Sequence, residues 1–300
     1  MIASGDVLDK IVELDKKIEN NKRKKYYIIR KNNETIGLMT YVSLFLGQIA
    51  YALEKGYIPI IDMQSHRNPF TNSVGEINAW ELYFKQPCGI GLDQIEKGAK
   101  CIYSLEYFGP KSPFLSSLFD EKEKEFWKII ATKFIIFEDA VDSYINNEAN
   151  NLLKGGKTLG LLFRGTDYTA LKPKNHPIQP NVEQFIEQIK ISLEKWGDFD
   201  SFYLATEEQR IVLRLQEVFP SKILVNSRSY YDNFGNDFLF KASFERENDF
   251  LTGLEYLSSI IILSRCNSII AGACAGTYAA SFFKKDYFNN EYFFNYGLYQ

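Results

Sequence analysis

Histidine is almost missing from this chain: His66 and His176 are the only two in 300 residues. A histidine-rich metal site is thereby excluded, and a Ser-His-Asp hydrolase has few places to reside. Cysteine is scarce and scattered. Cys88, Cys101, Cys266 and Cys274 lack C-x-x-C spacing, which fits a reduced, cytoplasmic protein better than a disulfide scaffold. An excess of one charge is lacking too. Lys+Arg of 35 against Asp+Glu of 38 leaves −3, which argues against the broad basic surface that nucleic acid binding through phosphates requires. Apolar runs are short, and none approaches the roughly 20 residues of a membrane span. The most hydrophobic, Ile260-Ile261-Ile262-Leu263, sits inside a helical pattern. No apolar signal core is read in the first residues, since Asp6, Asp9, Lys10, Glu13 and Asp15 interrupt them.

What remains is an ordinary globular composition, 45% hydrophobic and 24% charged, enough for a substantial core. Aromatic residues reach 15%, which suits a protein that packs against sugar rings. At roughly 150 residues per domain the length suggests two domains. Val7, Leu8, Ile11, Val12, Leu14 and Ile18 have helical spacing, and the basic run Lys22-Arg23-Lys24-Lys25 follows. That pairing could give weak peripheral contact with anionic lipid, although a solvated helix end leading into a strand is the plainer reading. A strand over 26–30, a glycine loop over 37–40, a helix through 44–53 and a strand over 58–62 make a βαβ unit. The segment 65–91 reads as an aromatic loop, followed by a strand over 100–105 and helices over 122–134 and 138–153.

The pattern restarts near Gly155-Gly156. Strands are expected over 158–163, 202–205, 222–225 and 268–271, and helices over 182–196, after 208 to 218, 250–264 and 275–283. Two Rossmann-type domains, 1–155 and 156–300, facing each other across a cleft are the architecture expected of this alternation. Several motifs mislead. Gly155-Gly156-Lys157-Thr158 ends like a phosphate loop, but it precedes a strand instead of following one. Asp198-Phe199-Asp200 mimics a metal-holding Asp-x-Asp from the wrong edge of the sheet. Gly272-Ala273-Cys274-Ala275-Gly276 is not the dinucleotide fingerprint, and Asn33-Glu34-Thr35 is a chance sequon in a cytoplasmic protein.

Three strand ends carry polar groups where a parallel sheet binds ligands. Arg164, Gly165, Thr166 and Asp167 follow the first strand of the second half. An arginine there can fork two N–H donors onto a diphosphate, and glycine permits close backbone approach. Thr206, Glu207 and Glu208 follow the second strand, where acids could receive ribose or base donors or simply start a helix. Gly276 and Thr277 open a helix after 268–271, and small residues there let amide hydrogens point at an anion. Cationic fork and helix start together describe a diphosphate site without metal. His176, tied by Pro173, Pro177 and Pro180, reads as a loop anchor rather than a base.

The succession Leu162-Phe163-Arg164-Gly165-Thr166-Asp167, Asn175-His176-Pro177-Ile178, Phe202-Tyr203-Leu204-Ala205-Thr206-Glu207-Glu208 and Leu263-Ser264-Arg265-Cys266 resembles the fucosyltransferase superfamily. That superfamily holds α1,6-, bacterial nodulation, α1,2- and protein O-fucosyltransferases, and the chain looks closest to bacterial polysaccharide-locus members. The resemblance spans about 159–283, more loosely 37–62 and Asn78-Ala79-Trp80-Glu81. It implies a GT-B-like fold and an inverting, metal-independent glycosyltransferase that moves fucose from GDP-fucose onto a glycan acceptor in surface polysaccharide synthesis, with no cofactor. By motif position, Arg164 matches the arginine gripping the β-phosphate, and Asp167 the aspartate near the sugar. Glu207 and Glu208 match paired acids, while Gly276 and Thr277 lie in the phosphate-binding turn. Relatives often have His-x-Arg-Arg-Thr-Asp-Lys; Leu162, Gly165 and Tyr168 depart from it here. Ser259 aligns with an aspartate that contacts guanine in relatives, and Glu255, one turn earlier, could substitute. A base glutamate of the α1,6 enzymes falls near Lys172 and does not transfer. Arg164, Asp167 and Glu207 are therefore the expected catalytic set. Met39–Tyr41, Asn68-Pro69-Phe70 and Asn78–Trp80 are expected to line the acceptor path. Two competing readings are a transferase for another nucleotide sugar and a non-catalytic sugar-nucleotide or glycan-binding protein of a polysaccharide assembly complex.

Overall fold

The computed structural model describes residues 4–19, 24–30, 36–71, 73–104, 111–232 and 249–300. The sequon Asn33-Glu34-Thr35, and Lys22 and Arg23 of the basic run, lie outside them. The chain forms two compact units, Met1–Val141 and Asp142–Gln300. No helix of the described residues is long and apolar enough to cross a membrane.

The first unit begins with α1 (Ser4–Glu19), which buries Val7, Ile11 and Leu14 on one face. Its sheet is parallel, with β1 (Lys25–Ile29) flanked by β2 (Ile58–Ile61) and β3 (Lys100–Tyr103) in the order β2-β1-β3. Between β1 and β2 runs α2 (Leu38–Lys55), so the expected βαβ unit forms. The helix opens at Leu38 with Gly37 as its N-cap, earlier than a loop over 37–40 allows. The reason is its apolar stripe: Leu38, Met39, Tyr41 and Val42 are already buried. Helix α3 (Glu121–Phe134) starts on Asp120, whose carboxylate accepts from the Lys122 and Glu123 amides.

Much of the segment 65–91 is core rather than open loop: Phe70, Ala79, Trp80, Tyr83, Phe84 and Gln86 are buried. Tyr41, Phe45, Phe70, Trp80, Tyr83 and Phe84 form a continuous aromatic cluster, with Phe45 and Trp80 edge to face at 5.6 Å. Two buried amides make this possible. Gln86 accepts from the Ile61 amide at 2.9 Å and donates to the Ile61 carbonyl at 2.9 Å, standing in for a missing strand beside β2. Asn78 donates to the same carbonyl and accepts from Met63 N and Trp80 N. Met39, Tyr41, Asn68, Phe70, Asn78 and Trp80 are therefore buried, which corrects their expected place along an acceptor path.

Helix α4 (Asp139–Leu153) leads into the second unit. A division at 155 would leave it behind, but its side chains bond forward: Glu148 accepts from the Ser227 amide at 2.8 Å and from the Ser258 hydroxyl, and Asn146 accepts from Arg265 at 2.6 Å. The second sheet is wholly parallel, in the order β6-β5-β4-β7-β8. Its strands are β4 (Thr158–Leu162), β5 (Ser201–Ala205), β6 (Ile223–Leu224), β7 (Ser268–Gly272) and β8 (Glu291–Phe294). The helices are α5 (Thr166–Leu171), α6 (Val182–Trp196), α7 (Gln209–Val218), α8 (Asp249–Arg265) and α9 (Ala275–Phe283). Short α5 and β8 are additions to the sequence expectation.

Alternation along the strands packs both faces. Leu159, Leu161, Phe202 and Leu204 meet Phe185, Ile186 and Ile189 of α6 and Ile211, Val212 and Leu215 of α7. On the other face Gly160 meets α8: a side-chain carbon there would lie 2.8 Å from Leu263 Cδ1 and 3.1 Å from Cys266 Cβ. The two misleading motifs fold onto each other at the amino edge, where Asp200 accepts from the Lys157 amide at 2.7 Å and its own amide bonds Lys157 O. Both serve as a turn there.

Replacing Gly160 by valine should force α8 off the sheet. A loss of about 1–3 kcal/mol is expected, the cost of overpacking, read as a lower urea midpoint at unchanged slope. A pH dependence follows from Asp62, which ends β2. Burial pushes its carboxyl up from 3.8, but bonds from the Ser65 hydroxyl and amide and from Arg30 outweigh that and hold it below the ordinary value. The unfolded chain thus binds the proton more readily. The stabilisation is complete above the unfolded pKa and disappears as pH falls through the lower folded one. Urea midpoints should fall more for the native chain than for Asp62→Asn between about pH 5 and about pH 3.

Candidate functional site

Strand order in the second unit fixes where a ligand can sit. From β4 the chain moves outward through β5 to β6, then returns to the other side of β4 as β7 and β8. The crevice outside the carboxyl ends of β4 and β7 is therefore the switch point of the sheet. The register pairs Leu162 with Ala271, so residues 163–165 and 272–277 emerge side by side, and pairs Leu162 with Ala205, so 206–208 emerge on the other flank.

Arg164 lies on this edge with its side chain 20% exposed and its Nη1 3.2 Å from Glu207 Oε1. Its guanidinium carbon stands 5.2 Å from the centre of the Tyr168 ring. Carboxylate and aromatic face together orient a planar cation. Arg164 and the turn after β7 are brought together. Burial pushes the Cys274 thiol up, while the Thr277 hydroxyl and the charge of Arg164 pull it back down. Burial and Cys274 likewise raise the Tyr256 hydroxyl against the pull of Arg164.

In that turn Cys274 is the N-cap of α9, and the first helical bonds run from the Thr277 and Tyr278 amides to Cys274 O. The amides of Ala275 and Gly276 precede this ladder, at the positive end of the helix. Gly276 is glycine because α8 crosses closely: a side-chain carbon there would lie 2.8 Å from Ile260 Cδ1 and 3.0 Å from the Tyr256 hydroxyl. Gln179 secures the approach to the turn. It is buried and donates to Ala273 O at 2.7 Å and Pro177 O at 3.1 Å, leaving no room for a side chain on Gly272. The strap carrying Gln179 is held by the carboxyl-terminal segment, through Asn175 N to Tyr299 O, Tyr299 N to His176 O and Ile178 N to Gly297 O. His176 thus takes part in anchoring a loop, with its ring 5.2 Å from Tyr168.

Three expected ligand contacts prove committed inside the protein. Glu208 is fully buried and grips Arg210 through Nε and Nη2, while its other oxygen fills the space a side chain on Gly165 would need. Ser259 is 1% exposed and gives its hydroxyl to Tyr256 O at 2.9 Å. Thr277 is buried and bonds Gly272 O and the Cys274 sulfur. Ser259 and Thr277 bond nearby backbone, which competes with bonding a ligand, and Glu208 is taken by a side-chain cation. Glu255 is partly exposed and accepts from the Ser229 amide at 3.1 Å. Gly165 caps α5, whose first residues are Thr166 and Asp167; those two side chains lie outside the described structure. Tyr168, Gln179 and Tyr256 were not singled out from sequence as ligand-site groups. Only the tyrosine in place of the lysine after Asp167 hinted at one of them. Among the described residues no three His, Cys, Asp or Glu side chains are grouped to hold a metal ion.

No protein-family model and no curated protein matches the chain. Solved structures do. NodZ alpha-1,6-fucosyltransferase co-crystallized with GDP is similar over 86% of this chain and 92% of its own, at 13% identity and a TM-score of 0.55. Fucosyltransferase NodZ from Bradyrhizobium is similar over 86% and 93%, at 13% identity and a TM-score of 0.52. POFUT1 in complex with GDP is similar over 91% and 99%, at 10% identity and a TM-score of 0.52. At such identities the likeness is one of fold: this chain has the GT-B-type α/β fold, with two Rossmann-like units, of these fucosyltransferases.

Proposed function

We propose that the protein is a glycosyltransferase that takes fucose from GDP-fucose and transfers it, with inversion and without a metal ion, to a glycan acceptor in surface polysaccharide synthesis. The observation that carries this reading is the position of Arg164, aimed by Glu207 and beside the start of α9 at the switch point of a parallel sheet. A guanidinium fork and two helix-end amides suit the charge that develops on a departing diphosphate. Support for the base and sugar comes from the fold: fucosyltransferases share it, two of them solved with GDP.

In this reading the second unit holds the donor and the first the acceptor. The acceptor hydroxyl attacks the anomeric carbon as the bond to the β-phosphate oxygen breaks, and the electron pair leaves on the diphosphate. Asp167, at the start of α5 beside Arg164, is the group proposed to steady the oxocarbenium-like carbon or take the acceptor proton. Glu207 is already paired with Arg164, so its main role is to orient that cation. Glu208 fills the space beside Gly165, next to the backbone that presents Arg164, so its proposed role is to position that backbone. Burial and pairing keep Glu208, Ser259 and the Thr277 hydroxyl from direct contact, which leaves Glu255 as the expected base-side carboxylate.

Arg164→Lys keeps the charge and loses the fork. Turnover of GDP-fucose should fall about 10²-fold or more, with native-like unfolding. Wild-type turnover in that variant removes Arg164 from the reaction. GDP should raise the melting temperature more than UDP or dTDP at equal concentration, because a ligand that binds only the folded state stabilises it by mass action. Turnover after exhaustive chelation by EDTA should be unchanged. Equal shifts with all three nucleotides would overturn the donor assignment, and loss of activity on chelation would overturn the metal-free step.

A further inference from the structure

The carboxyl edge of the first unit's sheet exposes a different set of groups from those the sequence suggested. Strand β1 has β2 on one side and β3 on the other, so this sheet also has a switch point, between β1 and β3. Arg30 stands at that point, directly after β1. Its backbone is fixed by one hydroxyl: Ser104 Oγ accepts from Arg30 N at 2.9 Å and donates to Arg30 O at 2.9 Å. Its guanidinium is aimed by Asp62, with Nε 2.5 Å from Oδ2, and by Ser65 Oγ, 3.2 Å from Nη2. It also lies over the Tyr103 ring, 4.8 Å from the centre. Even so, 40% of the Arg30 side chain and 54% of Tyr103 are exposed.

Asp62 does not need this arginine to be satisfied. Its carboxylate already accepts from Gln64 N at 3.0 Å, Ser65 N at 2.9 Å and Ser65 Oγ at 2.7 Å. The Arg30 end of the pair is 40% exposed although Asp62 is buried, so solvent screening limits what the pair adds to stability. The arrangement instead orients a planar cation whose Nη1 makes no bond among the described residues, next to an exposed aromatic ring. A guanidinium fork matches a carboxylate or phosphate, and an aromatic face matches the C–H face of a sugar ring. Arg67, two residues beyond Ser65, adds a second exposed cation to the same loop.

We propose that Arg30 and Tyr103 form a binding site for an acidic saccharide, with the anion on the Arg30 guanidinium, which Ser65 braces, and the sugar ring on Tyr103. This rests on the transferase reading, for which it names the acceptor class as an anionic rather than a neutral glycan. Calorimetric titration of the full chain tests it with three probes: a glucuronate-bearing hyaluronan tetrasaccharide, glucose 6-phosphate and the uncharged tetramer of N-acetylglucosamine. At least one anionic probe should bind about tenfold more tightly than the neutral one, and salt should weaken it. Arg30→Gln and Tyr103→Ala should each weaken that binding about tenfold, with Arg30→Lys between them and wild type. Tyr103 is on the surface, so its variant keeps the test valid should Arg30→Gln unfold. Equal binding of charged and neutral probes, no binding of any probe, or wild-type affinity in the Tyr103 variant would overturn the site. A wild-type chain that binds the anionic probe but not GDP would refute the donor reading and leave this site standing.

Discussion

The pairing of β4 with β7 is the constraint on which the candidate site depends. These strands are remote in sequence, and their register alone sets Arg164 beside the turn that opens α9. Buried apolar faces on both sides hold that register, since a slip of one residue would turn Leu159 and Leu161 out of their cluster and drive Gly160 from its place under α8. The site is thus a property of sheet topology before it is a property of any residue. A cation and helix-end amides meet because the strand order reverses there.

Carboxylates, some buried and some partly exposed, then do the local alignment. Glu207 aims Arg164, Glu208 fills the space beside Gly165, and Glu148 and Glu255 fasten the segment after β6 through Ser227 and Ser229. In the first unit Asp62 and Ser104 treat Arg30 in the same way. Each unit therefore presents one arginine at the reversal of its own sheet, braced by a carboxylate from a neighbouring strand end. Bracing of this sort removes side-chain freedom before a ligand arrives, which lowers the entropic cost of binding.

Most of the fold was legible because periodicity reports burial. The unbroken apolar run of β4 and the helical stripes of α2 and α6 follow from which faces must leave water, and the restart at Gly155-Gly156 marks the break between two such patterns. What escaped was short: α5 has six residues and β8 four, too few for a pattern to stand out. The strand ends of the site were legible too, since a charge directly after a buried strand has few structural uses. The roles of Glu208, Ser259 and Thr277 were not, because sequence cannot show whether a polar group bonds outward or to nearby backbone. The aromatic stretch 65–91 was misread as lining for the opposite reason. Gln86 and Asn78 supply the hydrogen bonds that let a segment without regular strands lie in the interior.

The space beside Gly165 carries a consequence for how such a chain can diverge. One Glu208 oxygen occupies the volume of a side chain there, and Arg210 secures that carboxylate from behind. Positions 165, 208 and 210 therefore meet at one point. A larger residue after Arg164 requires that carboxylate to swing aside, which also moves the partner of Arg210, so a change at 165 reaches a cation on the surface.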